Sequence, residues 1–243
     1  MDYQDIIYTK KEGVATITLN RPDARNSYSS EMLEGIYYSM EDAAKDDGVR
    51  VVVLTGAGQA FCAGADVKAM TEKFDQPSGK QEEREQKVSE MQVHSCLDRF
   101  EKPLIAAVNG VAAGGGLDFA LACDIRIASD RARFAEVYIR RGLLPLGGGT
   151  YYLPRLVGID RACLLILTGD MIDAKEAERI GLVTMVVPHK ELESATWELA
   201  AKLIKTSPLA IRKAKRAIRT IYEGWRTDIE STPDYVAPIT EET

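Results

Sequence analysis

The chain has 243 residues, 45% apolar and 28% charged, proportions that exclude a disordered or fibrous chain and suit one large domain or one domain with a small helical appendix. Lys and Arg total 31 against 37 Asp and Glu, a net charge of −6, so neither nucleic acid nor a purely electrostatic membrane surface is an expected partner. Cys62, Cys96, Cys123 and Cys163 form no CxxC and the only histidines are His94 and His189, which argues against a metal site or a disulfide framework and for a reducing compartment.

Met1 to Asp5 carry no basic region and no apolar signal core. Val14 to Leu19 are rich in β-branched residues and stop at Asn20-Arg21-Pro22, which predicts a strand. Residues 30–46 place Leu33, Ile36, Met40 and Ala43 at helical spacing. Val51 to Thr55 form a continuous apolar run ending at Gly56, the pattern of a buried, parallel strand. Residues 73–87 are polar and charged and read as a solvated loop and helix start. Leu104 to Val108 repeat the buried-strand pattern and end at the turn Asn109-Gly110. The apolar stretch from Leu104 to Cys123 contains Asn109, Asp118 and four glycines, a load unsuited to a membrane helix, so a soluble cytoplasmic protein is expected. From Lys190 onward the pattern is helical, over Leu192 to Ile204 and Ala210 to Tyr222, with Pro208 at a helix start. Alternating strands and helices make the class α/β. The expected division is a core over residues 1–190 and a helical region over residues 191–243.

Two glycine-containing segments follow predicted buried strands: Gly56-Ala57-Gly58-Gln59-Ala60-Phe61-Cys62-Ala63-Gly64-Ala65-Asp66 and Asn109-Gly110-Val111-Ala112-Ala113-Gly114-Gly115-Gly116-Leu117-Asp118. Ligands of α/β sheets bind at the carboxyl ends of strands, and glycine lets them approach the backbone closely. Phe61 stands where a dinucleotide fingerprint needs a glycine, and the chain has neither a GxxxxGK[ST] loop nor a GxSxG elbow. One such segment alone would read as tight turns; two, the second opening a helix at Gly114, favour an anion site. Backbone N–H groups at a helix start are unpaired and sit at the positive end of its dipole. With a second N–H from the other loop they would make an oxyanion hole that stabilises an enolate.

These segments, with Asn20-Arg21-Pro22, Cys123-Asp124, Leu167-Thr168-Gly169-Asp170, Ala174 to Ala177 and Gly181-Leu182-Val183, resemble the enoyl-CoA hydratase/isomerase (crotonase) superfamily over residues 12–222. The resemblance implies a spiral of ββα units followed by C-terminal helices, assembled as a homotrimer or dimer of trimers. It implies an acyl-CoA substrate, with coenzyme A as part of that substrate and no prosthetic group or metal. The oxyanion-hole donors it implies are the N–H groups of Ala65 and Gly115. Ala63, Ala65, Asp66, Val67 and Lys68 would line the coenzyme A side, and Arg25 would lie near its phosphates.

Typical hydratases of the family hold water between two glutamates. Here the first position is Asp118, one methylene shorter, in the first turn after the glycines. The second is Tyr138, a phenol with an ordinary pKa of about 10, suited to donating a hydrogen bond. It is left open as an acid, a holder of water or a pocket wall. Glu136 would share a strand face with Tyr138 if the chain there were extended, and is kept as a reserve acid; an ion pair with Arg140 or Arg141 is its plainer role. Enoyl-CoA hydration is the first reading. Double-bond isomerisation, thioester hydrolysis and non-catalytic acyl-CoA binding are its rivals. Leu146 occupies the nucleophile position of the dehalogenase branch, which is therefore excluded. Leu143, Leu144, Leu146, Tyr151 and Tyr152 are candidates for an apolar acyl pocket. His94 and His189 are assigned no catalytic role. Arg212, Lys215, Arg216 and Arg219 read as a solvated helix face, with a minor contact to coenzyme A as the alternative.

Overall fold

The computed structural model describes residues 3–66, 88–145 and 147–220. Strands β1 (Ile6–Lys11) and β2 (Val14–Leu19) pair antiparallel through a turn at Glu12 and Gly13, both at positive φ. Helix α1 (Ser30–Lys45) starts at Ser29, whose hydroxyl accepts from the Met32 N–H at 3.0 Å. It buries Met32, Leu33, Ile36, Met40 and Ala43, a row that includes every apolar position the spacing predicts.

Strand β3 (Val51–Gly56) lies parallel between β2 and β5 (Leu104–Val108), and β7 (Ile125–Ser129) and β10 (Met185–Val187) continue the sheet in the order β1-β2-β3-β5-β7-β10. A second sheet has the order β4 (Ala60–Cys62), β6 (Val111–Ala113), β8 (Arg133–Ala135), β9 (Ile172–Asp173). The pairs β3–β4, β5–β6 and β7–β8 each send their first strand to the large sheet and their second to the small one. That repetition is the ββα spiral. The α/β expectation holds.

Alternate residues of the central strands explain their unbroken apolar runs. Val52, Leu54, Leu104, Ala106 and Val108 face the main core, while Val51, Val53, Ile105 and Ala107 face the other side. That other side is covered by Leu192 and Ala200 of the helix over Leu192–Ile204. Helix α2 (Glu90–Arg99) opens with a reciprocal capping box between Ser89 and Gln92. Then come α3 (Gly115–Ala122), α4 (Gly149–Val157), α5 (Ile159–Thr168), α6 (Ala174–Arg179), α7 (Leu192–Ile204) and α8 (Pro208–Thr220). No helix among the described residues is long and apolar enough to cross a membrane.

Helix α8 overturns one expectation. Lys215 donates to Asp124 Oδ2 at 2.6 Å and to the Lys102 carbonyl at 2.8 Å, and Arg219 reaches Asp98 Oδ1 at 3.0 Å and Asp124 Oδ1 at 2.9 Å. Lys215 and Arg219 therefore turn inward to two part-buried carboxylates, whereas Arg212 and Arg216 are exposed as expected, and Ile218 and Leu209 are left exposed as well. The expected loop at 73–87 and the chain from Ile221 onward lie outside the described residues.

Candidate active site

Two buried asparagines shape the first glycine segment. Asn26 Nδ2 donates to the carbonyls of Ala57 (2.9 Å) and Ala60 (2.7 Å), and Asn109 Nδ2 to those of Gly58 and Ala60 (both 3.1 Å). Asn109 belongs to the second segment, so the same side chain that ends β5 staples the turn after β3. The stapled turn delivers Ala63 to Asp66 into a short parallel bridge. There the Tyr28 N–H donates to the Gly64 carbonyl (2.9 Å) and the Asp66 N–H to the Tyr28 carbonyl (3.3 Å). In such a bridge the intervening residue turns its own amide away, so the Ala65 N–H points off the Tyr28 side. Among the described residues it has no acceptor.

The second segment enters α3 through Gly114, whose φ of +52° and ψ of −129° suit only glycine. Its N–H is taken by the Ala135 carbonyl at 2.9 Å, whereas the Gly115 N–H, in the first turn, has no acceptor among the described residues. The two segments touch. A Cβ on Gly64 would fall 2.9 Å from the Ala113 carbonyl oxygen and 3.8 Å from Gly115 N, and one on Gly116 would collide with the Cys62 carbonyl.

All of α3 is buried, Asp118 included. The Tyr138 hydroxyl donates to Asp118 Oδ2 at 2.7 Å. Burial pushes the Asp118 carboxyl up to about 6, against the opposing pull of His94 and the Tyr138 hydroxyl. Burial and the negative Asp118 and Glu90 raise the Tyr138 phenol far above its ordinary value, so it serves as a donor only. Glu136 is equally deep and neither of its oxygens has a hydrogen-bond partner among the described residues. Burial, then Asp118, raises its carboxyl well above the usual range. The Glu136 Oε1 and Asp118 Oδ1 atoms lie 2.7 and 2.9 Å from one point, the place a Cβ on Gly149 would take.

A further acidic group comes from α2. Glu90 Oε1 lies 3.5 Å from His94 Nε2, one turn later, and with the Tyr28 hydroxyl it closes over Gly115. Burial pushes Glu90 upward, but His94 and the Tyr28 hydroxyl outweigh it and hold the carboxyl below its ordinary value. The His94 ring stacks at a tilt on Phe119, centroids 4.7 Å apart, and its Nε2 and Asp118 Oδ2 both crowd the open face of Gly147.

The structure thus brings Gly115, Asp118 and Tyr138 together, with the Ala65 loop against the amino end of α3. Arg25, exposed and at φ +52°, accepts the Ala63 N–H on its carbonyl at 3.1 Å, which sets it beside Ala63 to Asp66. The Asp66 carboxylate is engaged by Arg21 at 3.0 Å. Val67, Lys68 and Leu146 lie outside the described residues. Glu136 departs from both of its expected geometries. The chain turns into a 3-10 helix at Val137–Arg141 instead of staying extended, and Arg140 pairs with Asp170 at 2.9 Å, not with Glu136. Leu143 and Leu144 are exposed, whereas Tyr151 and Tyr152 line a separate cavity between α2, α4 and α8, so these residues form no single pocket.

His94 and Glu90 at the site are what sequence reasoning missed. Their i,i+4 spacing behind the Ser89 to Gln92 capping box was the available signal. His189 lies elsewhere, with Nδ1 3.0 Å from Ser129 Oγ.

A family model described as enoyl-CoA hydratase/isomerase matches residues 9–232. A short-chain-enoyl-CoA hydratase of Clostridium acetobutylicum is 41% identical over 232 residues, spanning 95% of this chain and 86% of the relative. The crystal structure of an enoyl-CoA hydratase from Bacillus anthracis superposes with a TM-score of 0.81 at 37% identity, covering 93% of this chain and 89% of its own. A monofunctional enoyl-CoA isomerase from M. smegmatis superposes with a TM-score of 0.76, also at 37% identity, covering 90% of this chain and 94% of its own.

Proposed function

The chain belongs to the enoyl-CoA hydratase/isomerase family, and from that premise we propose that it adds water across the double bond of a 2-enoyl-CoA thioester. The observation that carries the reading is Asp118: a fully buried carboxylate in the first turn of the helix that Gly114 to Gly116 open, held by a phenol at 2.7 Å. The thioester oxygen is received by the N–H groups of Ala65 and Gly115, at the positive end of the α3 dipole. Each such donor contributes about 3 kcal/mol to the charged transition state. Water attacks C3, and Asp118 takes its proton. The electron pair of the double bond moves into the thioester, the enolate forms in the hole, and C2 then gains a proton. Tyr138 keeps Asp118 oriented.

Coenzyme A runs past Ala63, Ala65 and Asp66 through main-chain contacts, with Arg25 at its phosphates and Val67 and Lys68 continuing the same segment. The carboxylate of Asp66 serves the loop through Arg21. A homotrimer, or a pair of trimers, is supported by Ile159, Leu164, Leu167 and Met171, an apolar row from 51% to 72% exposed on and after α5. A reducing, cytoplasmic setting is supported by four unpaired cysteines.

Isomerisation is the second reading, favoured by the one carboxylate that Tyr138 orients, since moving a double bond requires a single shuttling base. The test is crotonyl-CoA and a panel of longer, branched and cyclic enoyl-CoAs, read by mass spectrometry. Gain of one water is expected, and Asp118→Asn should reduce it at least a hundredfold. Double-bond migration without mass change would transfer the assignment to isomerase. Free-thiol release would make it a hydrolase, and tight binding without turnover a non-catalytic binder.

A further inference from the structure

Glu136 is a buried ionisable group that the hydration scheme leaves idle. Its side chain is 1% exposed, and both oxygens lack a partner among the described residues. A carboxyl left in that state is rare unless a ligand or water comes to meet it. The backbone explains its position. Gly114 pins the Ala135 carbonyl at 2.9 Å, and the chain coils tightly from Val137, so Glu136 passes the amino end of α3 on the side of Asp118. The Glu136 Oε1 and Asp118 Oδ1 atoms sit 2.7 and 2.9 Å from the same point over Gly149, yet make no hydrogen bond to each other. Tyr138 meets Asp118 at the other oxygen, Oδ2. Asp118 is therefore flanked by a phenol on one side and by a second carboxyl on the other.

We propose that Glu136 is the second proton-transfer group of the hydration, giving its proton to C2 while Asp118 removes one from the attacking water. The inference rests on the hydratase reading. The step balances: water's oxygen bonds to C3, its proton goes to Asp118, the enolate electron pair forms the C2–H bond with the Glu136 proton, and Glu136 is left ionised. Asp118 then returns its proton to Glu136 across the gap between Oδ1 and Oε1, through the next water. The protonation preferences favour this reset, because burial and Asp118 keep the Glu136 proton in place while Asp118 titrates at about 6. The ionisable group facing Glu136 is Asp118 from α3; His94 and Glu90 of α2 act on Asp118 from behind, and Tyr138 meets its other oxygen. The amino end of α4 supplies Gly149, whose N–H makes no bond to it. Tyr138 does not compete for the role, since its proton is held far too tightly.

The test compares Glu136→Gln with Tyr138→Phe on crotonyl-CoA, with thermal melts alongside. Glu136→Gln is expected to lower kcat at least a hundredfold at a native-like melting temperature and to abolish the alkaline limb of the kcat profile, while Tyr138→Phe costs less than tenfold and keeps that limb. Deuterium uptake at C2 of the hydrated product in D2O should fall with kcat in Glu136→Gln. Should that variant lose its cooperative melt, Glu136→Asp is used: a slow enzyme with the alkaline limb intact supports the inference, and a wild-type rate overturns it. Glu136→Gln within threefold of wild type also overturns it and leaves the hydratase reading standing. A wild type that hydrates no enoyl-CoA removes both.

Discussion

Asp118→Asn is expected to make the protein more stable above about pH 6 while removing most of its turnover. The wild-type carboxyl ordinarily titrates at 3.8 and is raised to about 6 in the fold. Below about pH 4 it is protonated in both the folded and unfolded chains and contributes no difference. Between about pH 4 and pH 6 the unfolded chain releases its proton while the folded chain retains it, so stability falls as pH rises. Above that window the deficit is constant, at roughly 3 kcal/mol by the usual ~1.4 kcal/mol per pH unit of displacement. No screening discount applies, because the side chain is 0% exposed. Asparagine keeps an oxygen for the Tyr138 hydroxyl and has no charge to bury. For a chain of this size, about 3 kcal/mol corresponds to a melting-temperature gain of roughly 6–12 °C. Urea and thermal melts at about pH 4 and pH 8, run beside crotonyl-CoA turnover, measure both effects. A variant that is no more stable than wild type at pH 8, or whose gain is the same at both pH values, would refute the reasoning.

Tyr138→Phe removes a donor that holds the Asp118 pKa down, so the acid limb of the kcat profile, which requires ionised Asp118, should shift to higher pH; an unmoved limb would separate the phenol from the base. Gly116→Ala should cost about 3 kcal/mol or more by urea titration, because its Cβ meets the Cys62 backbone, with the carbonyl carbon only 2.7 Å away. Gly142→Ala has open space and a φ of +66°, and should cost only about 1–2 kcal/mol. Asp124→Ala strands Lys215, whose side chain is 10% exposed, and is expected to lower stability by about 3–5 kcal/mol, with Asp124→Asn milder; equal melts would show that Lys215 finds other partners.

The elements read from sequence were those with room for a period. Strands β2, β3 and β5 and helix α1 run five residues or more, long enough for a buried run or a 3.6-residue stripe to show. The small sheet was invisible because its strands span two or three residues and pair across long separations, as Cys62 with Ala112 and Phe134 with Ile172. The glycine segments were legible as close backbone approaches, and Gly64 and Gly116 are open where any Cβ would strike a carbonyl. The carboxylate cluster was legible only in part. Tyr138 was found through the family pattern, but the turn at Val137 that separates its path from that of Glu136 has no simple signature. The inward turn of Lys215 and Arg219 in α8 was not legible because an amphipathic stripe shows which residues share a face and not which of them meet buried partners, and Asp98 and Asp124 lie about 100 residues upstream.

The two departures from the two-glutamate pattern make sense together. Asp118 is shorter than the residue it replaces, and a retracted carboxylate needs an added hold to keep its angle. The phenol of Tyr138 supplies that hold at Oδ2, but it also occupies the place from which a second carboxyl would work and cannot release a proton itself. Oδ1 is thereby left as the face of Asp118 open to another group, and Glu136 is the buried carboxyl beside it. If Tyr138 and Glu136 exchange the work of orientation and proton transfer in this way, Tyr138→Glu in a Glu136→Gln background should restore part of the lost hydration rate. A double variant as slow as Glu136→Gln alone would mean that the phenol's position lies outside the reach of the reacting carbons.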